Sequence, residues 1–221
     1  MQSQKLVSNS DALIQCKVVM LGASSAGKTS IIHRLVNQTF EHSIRPTLGA
    51  GLSAATVNGV KLNIWDTAGQ ENYRSLARVY YRDAQCAVIV FDVTNKNSFE
   101  DVNYWLGELA ACSLQDACLL FIVGNKTDLL EKDEKARQVS QESAKSLAAA
   151  NRGVYFETSA KNGNGVNELF DTLSKLFIQS KRDPHFIKNG KKSANDGRND
   201  RGDGRVKVTD DRDGDEESEC C

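Results

Sequence analysis

The apolar run Val18-Val19-Met20-Leu21 passes without a break into Gly22-Ala23-Ser24-Ser25-Ala26-Gly27-Lys28-Thr29, and the helical pattern Ile31 to Val36 follows at once. A strand, a turn bounded by glycines and a helix, in that order, constrain the fold more than anything else in the chain. The spacing fits G-x-x-x-x-G-K-[ST], in which consecutive backbone N–H groups point into the loop and the positive end of the next helix closes it. A loop of this kind holds phosphate. Lys28 would reach the β and γ phosphates, and the Thr29 hydroxyl would bind Mg²⁺. An ordinary Gly/Ser loop has no need of a strand before it and a helix after it.

Further along, strand-like runs alternate with helical patterns. Ile14 to Leu21 comes first, then a helix from Thr29, a polar loop around Pro46, and two extended runs joined at Asn58-Gly59, a strong hairpin signal. Val60, Leu62 and Ile64 alternate with Lys61, Asn63 and Trp65, so one face of that strand is buried and the other displays Trp65. Cys86 to Phe91 and Cys118 to Val123 read as strands buried on both faces, the habit of parallel sheets. Between them a helix starts around Asn97-Ser98, with Val102, Trp105, Leu106 and Leu109 on one face. Helices from about Ser140 and from Val166 to about Ser180, and a last strand at Val154-Tyr155-Phe156, complete the alternation. The expected fold class is α/β, a doubly wound, mostly parallel six-stranded sheet with helices on both faces. We expect one domain over residues 13–180, a flexible extension over 1–12 and a disordered tail over 181–221, where apolar groups are few.

The 28 Lys and Arg residues nearly balance the 29 Asp and Glu residues, so nothing in the charge suggests nucleic acid. No apolar run approaches the roughly 18 residues of a membrane span, and the first fifteen residues lack the apolar stretch of a signal peptide, so a cytosolic protein is expected. Cys16, Cys86 and Cys118 lie in or beside strand-like runs, and Cys112 ends a helical pattern; all four read as buried free thiols. Cys220 and Cys221 stand apart in the tail. His33, His42 and His185 are scattered, with no metal-ligand spacing.

Three more segments carry chemistry. Asp66 ends the strand containing Ile64 and Trp65, well placed to hold the magnesium, and Thr67-Ala68-Gly69-Gln70 follows. Gly69 would let its N–H approach a γ-phosphate, and the Gln70 amide could orient an attacking water, being too weakly basic to act as a strong base. Asn125-Lys126-Thr127-Asp128 follows another strand. A carboxylate accepts from the N1–H and 2-amino groups of guanine, whereas adenine offers it an acceptor and no amino group, so Asp128 selects guanine. Asn125 could tie this loop to the phosphate loop, the Lys126 stem could cover the base, and the Ala160 N–H could reach the guanine carbonyl. Thr47, behind Pro46, is either a second magnesium ligand that senses γ-phosphate or a plain loop threonine.

Trp65-Asp66-Thr67-Ala68-Gly69-Gln70-Glu71, Tyr80-Tyr81-Arg82-Asp83-Ala84, Asn125 to Asp128, Glu157-Thr158-Ser159-Ala160-Lys161 and Cys220-Cys221 together resemble a Rab-type small GTPase of the Ras superfamily. The resemblance implies that Ser24, Ser25, Ala26, Gly27, Lys28, Thr29 and Ser30 form the phosphate loop and that Phe40 packs against the base. It makes Thr47 the switch I threonine and Asp66 to about Tyr81 switch II. Ser159, Ala160 and Lys161 complete the base site, and Thr29, Thr47 and Asp66 hold Mg²⁺. Tyr73 to Ala77 before Tyr80-Tyr81 is most similar to the early-endosomal branch.

Three departures stand out. Leu52 occupies a position where Rab proteins usually place Phe, so the trio Leu52, Trp65 and Tyr80 has lost a ring. Ser24 replaces a common glycine. The span from Thr47 to Asp66 is shorter by about four residues, an even number that can preserve hairpin register.

The function implied is a switch that binds GTP or GDP, hydrolyses GTP slowly and recruits vesicle-traffic effectors through switch I and switch II when loaded. Expected partners are an exchange factor, an activating protein, a GDP-dissociation inhibitor and a prenylation escort protein, with no nucleic acid. Geranylgeranyl groups on Cys220 and Cys221 would attach the chain to the cytoplasmic face of endomembranes, early endosomes by the branch resemblance, cycling with the cytosol. From Arg205 to Glu219 the tail carries seven acids against three bases, so it offers no basic patch to replace a second lipid. No arginine in or near the phosphate loop is obviously placed to stabilise transition-state charge, which assigns that role to an activating protein. A GTP-binding scaffold with little turnover is the alternative, and a P-loop kinase would want an arginine-bearing lid and no guanine-reading pair.

Overall fold

A computed structural model describes residues 13–69, 79–112, 118–183 and 186. Its strands are β1 (Ile14–Leu21), β2 (Ala50–Val57), β3 (Val60–Thr67), β4 (Cys86–Asp92), β5 (Leu119–Asn125) and β6 (Val154–Glu157). Its α-helices are α1 (Lys28–Asn37), α2 (Lys96–Ala111), α3 (Gln141–Ala150) and α4 (Val166–Arg182). The strands form one sheet in the order β2-β3-β1-β4-β5-β6, antiparallel only between β2 and β3. The expected doubly wound, mostly parallel six-stranded sheet is therefore present.

Alternate residues of β1 serve two separate cores, as a strand's period of two requires. Cys16, Val18 and Met20 pack with Ile31 and Ile32 of α1 and with Leu169, Phe170, Leu173 and Phe177 of α4. Val19 and Leu21 pack on the other side with Val102, Trp105, Leu106 and Leu109 of α2 and with Ala144 and Ala148 of α3. Strands β4 and β5 are buried along their whole lengths because helices cover both faces. Each fully buried large side chain contributes about 1.5–3 kcal/mol, so the helices are held by the sheet more than by their own propensity.

Helix starts follow from their caps. The Ser140 hydroxyl accepts from the Ser143 N–H at 3.1 Å and opens α3 where expected. In α2 the cap is Asn95, whose Oδ1 accepts from the Ser98 N–H at 3.2 Å, so the helix begins at Lys96, one residue before the expected Asn97. Helix α1 begins at Lys28, directly after Gly27, with no side-chain cap.

The β2–β3 hairpin turns on two left-handed residues, Asn58 (φ 50°) and Gly59 (φ 74°), as a two-residue loop demands. Its ladder runs from Ala50 opposite Thr67 to Val57 opposite Val60, so the shorter span keeps an unbroken register. The Asn58 side chain fastens the tip to α4 through Asp171 Oδ1 (2.6 Å) and Ser174 Oγ (2.8 Å).

Cys16, Cys86 and Cys118 are buried free thiols, with the sulfurs of Cys16 and Cys86 3.5 Å apart. Burial pushes the Cys86 thiol well above its ordinary range and that of Cys118 up to about 12, which keeps both protonated and unreactive. Cys112 departs from expectation: it is exposed, because α2 ends at Ala111 and no longer presses the next residue against the sheet.

Candidate nucleotide-binding site

The parallel strands all end on one side, with Met20 beside Asp66, Asp92 beside Asn125 and Gly124 beside Glu157. Ligands of open α/β sheets bind beyond these carboxyl ends. A cleft of about 400 Å³ lies there, lined by Ser24, Ser25, Gly27, Lys28, Thr29, Ser30, Phe40, Thr47, Gly69, Asn125, Lys126, Asp128, Ala160 and Lys161 among others. Every nucleotide-binding residue anticipated from the sequence is thus on its wall, apart from Ala26 and Ser159, which are buried just behind it.

The phosphate end is built by close approach. A Cβ on Gly27 (φ 97°) would stand 2.2 Å from Asn125 Nδ2, and one on Gly69 would stand 2.5 Å from the Ser24 nitrogen and 2.6 Å from Lys28 Nζ. Only glycine leaves room for the Asn125 side chain at the first position and for the phosphate-loop backbone at the second. Because α1 has no side-chain cap, its first N–H groups are left for a ligand. Lys28 is 6 % exposed, and its ammonium donates to the carbonyls of Gly22 and Ala23 at 2.9 Å each. Burial lowers it to about 8, against the pull of the Asp66 charge. A buried cation held by carbonyls wants an anion, and phosphate supplies one.

Beside it Asp66, 6 % exposed, accepts through Oδ2 from Thr29 Oγ1 (2.7 Å) and Thr47 Oγ1 (3.1 Å), whose hydroxyls are 3.1 Å apart. Its other oxygen, Oδ1, is buried without a partner. An orphaned carboxylate oxygen beside two hydroxyls is an all-oxygen set, suited to a hard cation such as Mg²⁺. Phosphate oxygens of a bound nucleotide and water would complete the shell. Thr47 stands beside Thr29 and Asp66, the position that a second magnesium ligand would take.

At the base end, Asn125 is a buried junction. Its Nδ2 donates to the Ala26 carbonyl (2.9 Å), and its Oδ1 accepts from Thr158 Oγ1 (3.1 Å) and the Ala160 N–H (3.2 Å). The tie to the phosphate loop is as expected; the Ala160 N–H is already engaged, so a guanine carbonyl would share it with Asn125. Ser159 Oγ donates to Asp128 Oδ1 at 2.7 Å and fixes the plane of that carboxylate. Lys126, at φ 70°, pairs through Nζ with Asp92 Oδ2 at 2.8 Å, stretching its stem along the cleft wall.

Sequence reasoning missed three residues. Arg34 of α1 donates to the carbonyls of Ala160 (2.8 Å) and Lys161, joining the phosphate helix to the base loop. Asp92 anchors Lys126, and Arg45 lines the cleft from the loop before Thr47. No local pattern signals any of them, because each depends on a partner or cavity distant in sequence. Gln70, most of the expected switch II, Cys220 and Cys221 lie outside the described residues.

A mostly parallel sheet with a glycine-bounded loop, a buried lysine and a magnesium-suited threonine and aspartate at its carboxyl end defines a P-loop nucleotide-binding protein. The family model described as "Ras family" matches residues 17–179, and the chain belongs to that family as a Rab-type small GTPase. It is 34% identical over 199 residues to the GTP-binding protein YPT52 of Saccharomyces cerevisiae, covering 77% of this chain and 85% of that protein. Identity to the Ras-related protein RabJ of Dictyostelium discoideum is 40% over 177 residues, 78% of this chain and 67% of the relative. Ras-related protein Rab-22A of Mus musculus is 38% identical over 177 residues, 78% and 89% of the two chains. Ras-family proteins bind GTP or GDP with Mg²⁺. Among the described residues no helix is long and apolar enough to cross a membrane.

Proposed function

We propose that this small GTPase is a guanine-nucleotide switch that hydrolyses GTP slowly and recruits vesicle-traffic effectors while GTP is bound. The observation that carries this reading is Thr47: a residue of an exposed loop meets Thr29 and Asp66 where a magnesium and a terminal phosphate would lie. Lys28 and the N–H groups of residues 24–30 hold the phosphates, and the Asp128 carboxylate, oriented by Ser159, reads the guanine edge. Bound Mg²⁺ neutralises charge on the β and γ phosphates. Gln70 orients the attacking water. Losing γ-phosphate removes what Thr47 senses, and the loop around it is released.

The same proposal extends to the whole chain. Residues 13–180 form the catalytic domain, 1–12 and 181–221 flank it, and an exchange factor, an activating protein, a GDP-dissociation inhibitor and an escort protein act on it. Prenyl groups on Cys220 and Cys221 hold it to endomembranes. An early-endosomal site is supported by the run Tyr73 to Tyr81 and by the similarity to Rab-22A.

The test is Asp128→Asn, which presents a donor to N1–H. GTP binding falls, and xanthosine triphosphate binding, with an oxygen in place of the 2-amino group, improves. Unchanged GTP affinity in the purified variant contradicts the assignment.

A further inference from the structure

Four lysine and arginine side chains line the cleft: Lys28, Arg45, Lys126 and Lys161. Three are committed to the protein. Lys28 holds the Gly22 and Ala23 carbonyls, Lys126 pairs with Asp92 at 2.8 Å, and Lys161 lies 4.0 Å from Asp128 Oδ2. Arg45 has no hydrogen bond or ion pair among the described residues. The acid best placed by sequence to neutralise it, Glu41, stands instead 3.7 Å from His33 Nδ1. An exposed guanidinium therefore borders a phosphate cleft with its charge unspent.

Its position is not free to wander far. Only Pro46 separates it from Thr47, and proline fixes its own φ and pushes the preceding residue toward extended backbone. Thr47 is in turn bonded to Thr29 and Asp66. Thus whatever seats Thr47 also seats the backbone of Arg45 beside the phosphate end. The guanidinium's planar fork matches phosphate oxygens in a way that a lysine ammonium does not.

We propose that Arg45 contacts the terminal phosphate of GTP and supplies, within the chain, part of the positive charge that speeds its hydrolysis. This rests on the GTPase reading above and extends it to a residue of the loop. In the reaction a bond forms between the water oxygen and the γ phosphorus. The bond from that phosphorus to the β–γ bridging oxygen breaks, and its electron pair stays on GDP. The water's proton passes to the departing phosphate. Negative charge grows on the oxygens that Arg45 would touch, so its attraction rises toward the transition state. The sequence alone assigned that role to an activating protein; the cleft lining supplies a candidate in the chain itself.

The test is single-turnover hydrolysis by the GTP-loaded full chain, comparing wild type with Arg45→Ala, Arg45→Lys and the surface control Lys145→Ala, alongside GTP and GDP affinities. Arg45→Ala should slow hydrolysis about 10- to 100-fold, Arg45→Lys should restore only part of the rate, and Lys145→Ala should change nothing. GDP affinity should stay within about twofold of wild type, because GDP lacks the phosphate in question. An Arg45→Ala rate equal to wild type overturns the inference and leaves the GTPase reading intact. Equal losses of GTP and GDP affinity also overturn it, by placing Arg45 on groups both nucleotides share. A wild-type chain that binds no GTP overturns the functional reading and this inference with it.

Discussion

At the base end of the cleft, Asn125, Asp128 and Ser159 are all under a tenth exposed and held by hydrogen bonds within the protein, Asn125 to Thr158 and Ala160 and Asp128 to Ser159. At the phosphate end, the loop over residues 41–48 is largely exposed, Leu48 to 76 %, and the Thr47 hydroxyl ties it to Thr29 and Asp66. The first arrangement is preorganised and can give affinity for guanine in any nucleotide state. The second has little apolar burial to hold it, so a few polar contacts to ligand can order or release it. A switch needs both: one end to keep the nucleotide and another to report which nucleotide it is.

The comparison breaks most visibly at Asn125. Asn125→Ala leaves the Ala26 carbonyl, the Thr158 hydroxyl and the Ala160 N–H without their buried partner. We expect a loss of about 3 kcal/mol, roughly 100-fold in affinity, falling equally on GTP and GDP. Isothermal titration with both nucleotides checks this; a loss confined to GTP would place Asn125 in the sensing half.

Thr47→Ala should do the reverse. Removing one hydroxyl from an exposed loop should weaken GTP binding about tenfold, near 1.4 kcal/mol, while GDP binding stays close to wild type. Equal effects on the two would erase the distinction between the two ends.

A smaller effect follows from Lys28. Without ligand its ammonium is lowered by burial to about 8, whereas phosphate charge favours the protonated form. Above pH 8 the empty site has lost a proton that the complex must take back, so nucleotide affinity should fall several-fold between pH 8 and 9, with proton uptake on binding. Below about pH 7 this group should contribute no pH dependence. Titration calorimetry in buffers of different ionisation enthalpy would show the uptake, and its absence at pH 8.5 would contradict the burial argument.

Much of this was readable in the sequence because it is local. The apolar runs of β1, β4 and β5, the Asn58-Gly59 turn and the glycine-bounded loop each declare themselves within a few residues. Thr47 was ambiguous because a threonine in an aperiodic loop carries no signal until Asp66 is beside it. Arg34 and Asn58 reach partners more than a hundred residues away, and periodicity does not encode such pairs. Arg45 was passed over for the same reason. The reading of Cys112 as buried failed because the helical pattern outlasts the helix by one residue.

The division between the two ends is tested most directly by amide hydrogen exchange on the full chain loaded with GDP or with a non-hydrolysable GTP analogue. We predict slower exchange over residues 40–48 in the GTP-like state, with residues 125–128 and 158–161 equally protected in both. Identical exchange over 40–48 in the two states, or a larger difference in the base loops than in that segment, would contradict it.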